Sequence, residues 1–163
     1  MKKPILYSVS LFLVMLVTGV FWGTWFTLTR SLDSFPPDNF IRIGKTIIKN
    51  VGGPMAVLMP ATLLSLIWIS VINRKIRPVF LCFIVSLVFM ILSLLITVGK
   101  EVPIDNQIKT WTVDSLPGNW AELRNKWNQF HSLRTVTSLL SFLFLSIGVV
   151  IDRSNTPRHS SKL

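Results

Sequence analysis

The sequence predicts an all-α integral membrane protein: a four-helix bundle with a short amphipathic helix in loop one and an extended, partly extramembrane fourth helix. Three observations lead there. Half of the 163 residues are apolar and only 15% are charged, whereas ordinary soluble domains carry charge at about a quarter of their positions. Charged side chains are missing from Pro4 to Thr29, Asn50 to Asn73, Pro78 to Gly99 and Thr135 to Ile151, runs of 26, 24, 22 and 17 residues. Since a helix rises about 1.5 Å per residue and the hydrocarbon layer is about 30 Å thick, roughly 20 residues cross it. Three runs meet that length, and the fourth is one turn short. Finally, basic residues gather at the edges of these runs rather than in one patch. The formal charge of +10 therefore reads as an orientation signal and not as a nucleic-acid footprint.

The chain is expected to be one domain over residues 1–163. Span one covers about 5–29, and its long apolar stretch ends in Phe21, Trp22, Trp25 and Phe26 where a cleaved signal would show small residues, so a retained anchor is expected. Gly19 and Gly23, four apart, permit close helix approach, and packing within the chain is the favoured use. Trp22 and Trp25 fit an interfacial belt better than a pocket lining. Loop one, 30–51, opens at Asp33-Ser34-Phe35-Pro36-Pro37, a stop signal. Phe40, Ile43, Ile47 and Val51 then recur at helical steps with Arg42, Lys45 and Lys49 between them. That pattern is a basic amphipathic helix, expected to lie on the membrane surface, with covering the mouth of the bundle as the alternative. Span two, 52–73, begins at Gly52-Gly53-Pro54, and Pro60 bends it. Span three, 78–99, is an almost unbroken aliphatic run that Pro103 is expected to end. Loop three is 100–129, span four 130–151, and a polar tail 152–163 follows.

Eight of the 17 basic residues crowd the termini and the short second loop: Lys2, Lys3, Arg74, Lys75, Arg77, Arg153, Arg158 and Lys162. The positive-inside rule then places both termini in the cytoplasm of a multi-pass cell-membrane protein. Cys82 is the only cysteine, and His131 is the only histidine outside the tail besides which only His159 exists. No intrachain disulfide, zinc site or bis-histidine haem can be built from that inventory. Gly-rich phosphate loops and serine elbows are also missing.

The unusual chemistry lies between Lys100 and Thr135. After the breaker Pro117-Gly118-Asn119 no further one occurs until the tail, so a helix of about 50 Å is expected, longer than the bilayer is thick. On it Trp120, Arg124, Trp127, His131 and Arg134 fall at steps of four, three, four and three, a single stripe. Arg134 stands at the threshold of span four, where a charge needs a partner. Glu101 and Asp105, at the end of span three, are the expected carboxylate partners, with Asp114 and Glu122 as alternatives. Tryptophan belts and snorkelling arginine explain such a stripe without any function. A polar cluster flanked by aromatic faces explains it as a ligand pocket.

The segment Glu101-Val-Pro-Ile-Asp-Asn-Gln-Ile, then Trp111, then Trp120-Ala-Glu-Leu-Arg124-Asn-Lys-Trp127-Asn-Gln-Phe-His131-Ser-Leu-Arg134-Thr135 resembles the signature of the DUF1772 or anthrone oxygenase-like family of small four-span membrane proteins. The family pattern is an Asn-x-Pro-x-Asn-like turn followed by Trp, Arg, Trp, His and Arg-Thr entering span four. Glu101 and Asp105 stand here where asparagines are common. Some fungal members are implicated in oxidising anthrones to anthraquinones, so the resemblance implies an oxygenase for a hydrophobic aromatic, anthrone- or quinol-like, working without a cofactor.

On that reading His131 is the candidate base, and Arg124 and Arg134 hold the phenolate or peroxide anion. Trp111, Trp120 and Trp127 line the substrate site with Glu101, Asp105 and Asn106. The lipid bilayer and an aromatic small molecule are the expected partners. The competing expectation is a non-enzymatic protein that binds a lipid or hydrophobic metabolite or supports a membrane complex. In that case the same charges would be a structural cluster. A channel is disfavoured, because spans one to three carry no charge.

Overall fold

The computed structural model describes residues 3–154; Lys2, Arg158 and Lys162 of the charge asymmetry, and His159, lie outside them. All regular structure among the described residues is helical: α1 Lys3–Thr27, a 3-10 turn Thr29–Ser34, α2 Pro37–Ile72, α3 Arg77–Ile96, a π turn Thr97–Glu101, α4 Val102–Thr110 and α5 Trp120–Ser154. Four helical stretches, Lys3–Ser34, Pro37–Ile72, Arg77–Thr110 and Trp120–Ser154, are long and apolar enough to cross a membrane. The protein is a multi-pass membrane protein. Helix is the only open-chain solution for such segments, because lipid offers no partner to an unpaired backbone group.

Two apolar clusters hold the bundle. The larger one joins Val14 and Val17 of α1, Leu66 and Ile69 of α2, Phe83 and Met90 of α3, and Leu145 of α5. The smaller lies at the end carrying loops one and three, where Leu32, Phe40, Ile108, Trp111 and Trp127 pack together. Between α3 and α5 the contact is close and polar at one level. The Ser86 hydroxyl donates to the Ser141 carbonyl at 2.8 Å, and Ser141 returns the bond to Ser86 at 2.9 Å. A turn or two further along α5, a Cβ on Gly148 would fall 2.6 Å from the Phe83 ring. Small residues at such a crossing let the backbones approach.

At the opposite end Tyr7 Oη bridges Asn73 Oδ1 (2.8 Å) and Asp152 Oδ2 (2.9 Å), and Lys3 Nζ donates to the same Asn73 oxygen at 2.9 Å. Three helices are thereby tied together at the end where α1 begins and the described part of α5 stops.

Three local expectations differ from what is observed. The amphipathic stretch of loop one is not a separate surface helix: it is the first turns of α2, continuous through Gly52-Gly53-Pro54. Its apolar face covers the mouth of the bundle, with Phe40 against Trp111, Trp120 and Trp127. Tertiary burial of that face outweighs the weak break that two glycines and one proline make. Pro103 does not end the third helical stretch either. It enters directly after the π turn, where Val102 N–H bonds the Thr97 carbonyl. A proline cannot donate and crowds the carbonyl four residues back, and the widened turn has already shifted that carbonyl out of register. Gly19 and Gly23 meet nothing within 4 Å, so close packing within the chain falls to Gly148 instead.

Candidate functional site

Five of the residues singled out in the sequence converge where α5 passes the π turn and α4. Glu101, the last residue of the π turn, is fully buried, and its Oε2 lies 3.2 Å from Arg134 Nη2. Neither Glu101 oxygen is aligned for a hydrogen bond with the described residues, so charge alone holds this pair. Arg134 also donates from Nε (3.1 Å) and Nη2 (2.8 Å) to His131 Nδ1. An arginine can only donate. Nδ1 is therefore the unprotonated nitrogen of a neutral ring, and Nε2–H donates to the Phe21 carbonyl at 3.2 Å. This assignment of the tautomer follows from the partners of each nitrogen. Both nitrogens of His131 are engaged.

Aromatic rings brace the group on two sides. The guanidinium carbon of Arg134 sits 4.6 Å from the centre of the Phe21 ring, a cation–π contact. Trp127 lies parallel to the His131 ring at 5.4 Å and 9°, and its indole N–H donates to Asp105 Oδ1 at 2.9 Å. Helical spacing explains the arrangement. Trp127, His131 and Arg134 recur at four and three along α5, and Glu101 and Asp105 are one turn apart. Thr135 adds a bond from Oγ1 to the His131 carbonyl at 2.7 Å.

Beside this cluster lies a cavity of about 330 Å³, within the size range of small-molecule sites. Its buried floor includes Phe21, Met55, Met59, Trp127 and Arg134. Asp105, half-buried, joins Trp127 and Arg134 to form its polar end, and Pro60 marks its far end on α2. His131 and Glu101 stand behind Arg134 and are not part of the wall.

Other candidates are directed elsewhere. Arg124 lies over the Trp120 ring at 5.2 Å and donates to the Asp33 carbonyl at 3.3 Å, so it fastens the 3-10 turn of loop one. Trp111 and Trp120 pack on Phe40 in the smaller apolar cluster. Asn106 faces outward and accepts from Lys109 Nζ at 3.0 Å. Glu122 pairs with Lys126 on the exposed face of α5. Trp22 is exposed beside Phe26, and neither Trp22 nor Trp25 lines the cavity. Conversely Phe21, which supplies both a ring and a carbonyl to the site, carried no signal separating it from its aromatic neighbours in span one. Among the described residues no three His, Cys, Asp or Glu side chains converge as metal ligands would.

A family model described as anthrone oxygenase matches residues 45–144. The chain belongs to the anthrone oxygenase family. No curated protein and no solved structure matches it. The matched stretch contains the α2 and α3 walls of the cavity and all five clustered residues, and it stops short of α1. In this member of the anthrone oxygenase family, Phe21 thus joins the candidate site by its contacts with His131 and Arg134 and not through the matched stretch.

Proposed function

We propose that this member of the family is a membrane oxygenase that takes a flat, hydrophobic, anthrone-like aromatic into the cavity and oxidises it with O₂. The observation that carries the reading is the pairing of an apolar cavity with one polar end, where a carboxylate (Asp105) and a guanidinium (Arg134) both reach the wall. An anthrone's central CH₂ is acidic because its carbanion is delocalised onto the ring oxygen. Asp105 is the base within reach of the cavity, and Arg134 stabilises the oxygen on which charge develops. The carbanion gives its electron pair to O₂, and the resulting hydroperoxide loses water to leave a second carbonyl. One CH₂ and one O₂ become one C=O and one H₂O, so no external reductant is required.

His131 is a positioning residue in this scheme. Its Nδ1 lone pair holds the guanidinium of Arg134, and acting as a base would require Arg134 to release it. Membrane orientation with both termini in the cytoplasm is part of the proposal, supported by Arg74, Lys75 and Arg77 at the short loop. The direct test is oxygen uptake by the detergent-purified protein with an anthrone, expected at one O₂ per quinone formed and free of added reductant. No uptake above the uncatalysed rate overturns the enzymatic reading. If the anthrone still binds stoichiometrically and displaces a co-purified lipid, the non-enzymatic binder is the function.

A further inference from the structure

The cavity has a second feature that the reaction does not need: it is open along one side. Its lip is formed by Gly52, Ala56 and Pro60 on α2 and by Val98 and Val102 opposite them, all exposed. Gly52 to Pro60 lies inside the uncharged run of α2, and Val98 inside that of span three. The opening therefore faces the hydrocarbon of the bilayer and not water. From Gly52 to Pro60 it extends roughly 12 Å along the helix at 1.5 Å per residue. Gly52 and Ala56 keep the α2 edge low, and the π turn carries Thr97 and Val98 around the opposite edge. One turn past Pro60, beyond the deep end, exposed Leu64 extends the apolar surface of α2.

The polar end restricts what enters. Arg134 is faced from behind by Glu101 at 3.2 Å, and Asp105 is the carboxylate at the wall itself. With His131 neutral, the end holds no surplus positive charge. An anionic head, such as the carboxylate of a fatty acid or a lipid phosphate, would be repelled by Asp105 and would find Arg134 already matched. A neutral head that donates one hydrogen bond to Asp105 and accepts one from Arg134 suits both groups.

Building on the function proposed above, we infer that the natural ligand is a phenolic, anthrone-like aromatic carrying an alkyl or isoprenoid chain, seated with its ring at Asp105 and Arg134 and its chain leaving through the α2–α3 seam into the lipid. The ligand then arrives by lateral diffusion in the membrane, head at the loop end and chain toward the bilayer interior, in the orientation it already has there.

Photo-crosslinking in reconstituted vesicles tests this. The probe is an alkyl hydroquinone with a diazirine near the end of its chain, and a fatty acid bearing the same diazirine is the comparison. The expected result is labelling concentrated on residues 56–68 and 91–98 by the hydroquinone, several-fold above the fatty acid and suppressed by excess anthrone. Ala56→Trp, which fills the lip, should reduce that labelling several-fold. Labelling spread evenly over α1 and the other lipid faces, or equal labelling by the fatty acid, overturns the inference. If anthrone is oxidised yet the hydroquinone leaves the seam unlabelled, the chain assignment fails and the oxygenase reading stands. Neither turnover nor labelling would remove both.

Discussion

Replacing Arg134 with methionine should destabilise the protein severely, and removing Glu101 as well should restore most of the loss. Unit charges 3.2 Å apart attract by about 5 kcal/mol at an effective dielectric constant near 20. Removing one partner of a buried pair strands the other, at a cost of about 3–5 kcal/mol. Glu101 has no aligned hydrogen bond to fall back on, so the upper part of that range applies. For a chain of this size each kcal/mol shifts the melting temperature by about 2–4 °C, which makes the expected loss at about 4–5 kcal/mol roughly 8–20 °C. Exchanging both residues, Glu101→Leu with Arg134→Met, leaves no stranded charge and typically costs little. The assay is thermal unfolding of the four proteins in one detergent. Recovery of at least half of the loss in the double variant is expected. If the two single losses simply add, the pair is not coupled and the geometry on which the site rests is wrong. The same reasoning means that loss of stability on changing Arg134 does not separate an enzyme from a structural cluster, because the ion pair is buried in either case.

Other expectations are more local. His131→Asn keeps an acceptor for Arg134 near the position of Nδ1 and should retain far more turnover than His131→Ala; equal inactivity of both would restore His131 as the base. Tyr7→Phe removes the hydroxyl shared by Asn73 and Asp152 and should cost about 1 kcal/mol for the lost hydrogen bond, since Lys3 still donates to Asn73, read as a lower melting temperature with unchanged anthrone turnover. Gly148→Ala places a methyl group against the Phe83 ring and should cost about 1–3 kcal/mol through overpacking, whereas Gly19→Ala, which meets nothing, should be neutral.

Much of this architecture was legible in the residues, and the failures have identifiable causes. Uncharged runs announce spans because the bilayer penalises charge so heavily, and the α5 stripe announces its own facing side through helical spacing. The Arg134–Glu101 contact followed from the same penalty, since a threshold arginine must find a carboxylate. Spacing along one helix cannot say which neighbour faces it. Arg124 belongs to the stripe by position, yet the carbonyl of Asp33 and the ring of Trp120 claim it. Trp111 and Trp120 looked like ligand contacts because aromatic rings serve equally as cavity wall and as core. Breakers were over-read for a related reason. Gly52-Gly53-Pro54 and Pro103 weaken a helix locally, but the burial of Phe40 and the widened π turn decide whether it continues. Phe21 and the Tyr7–Asn73–Asp152 bridge depend on contacts across more than 60 residues of sequence, and no local pattern records such contacts.

The central claim is that the polar end of the cavity, and Asp105 within it, abstracts the proton that starts the oxidation. The measurement that bears on it most directly is oxygen uptake with an anthrone by Asp105→Asn, which keeps an acceptor for the Trp127 indole and removes the base. The expected result is a fall of about 10²–10⁴ in turnover, the usual contribution of a positioned base, with the melting temperature and anthrone binding close to wild type. Turnover equal to wild type in a folded, anthrone-binding Asp105→Asn protein would contradict it.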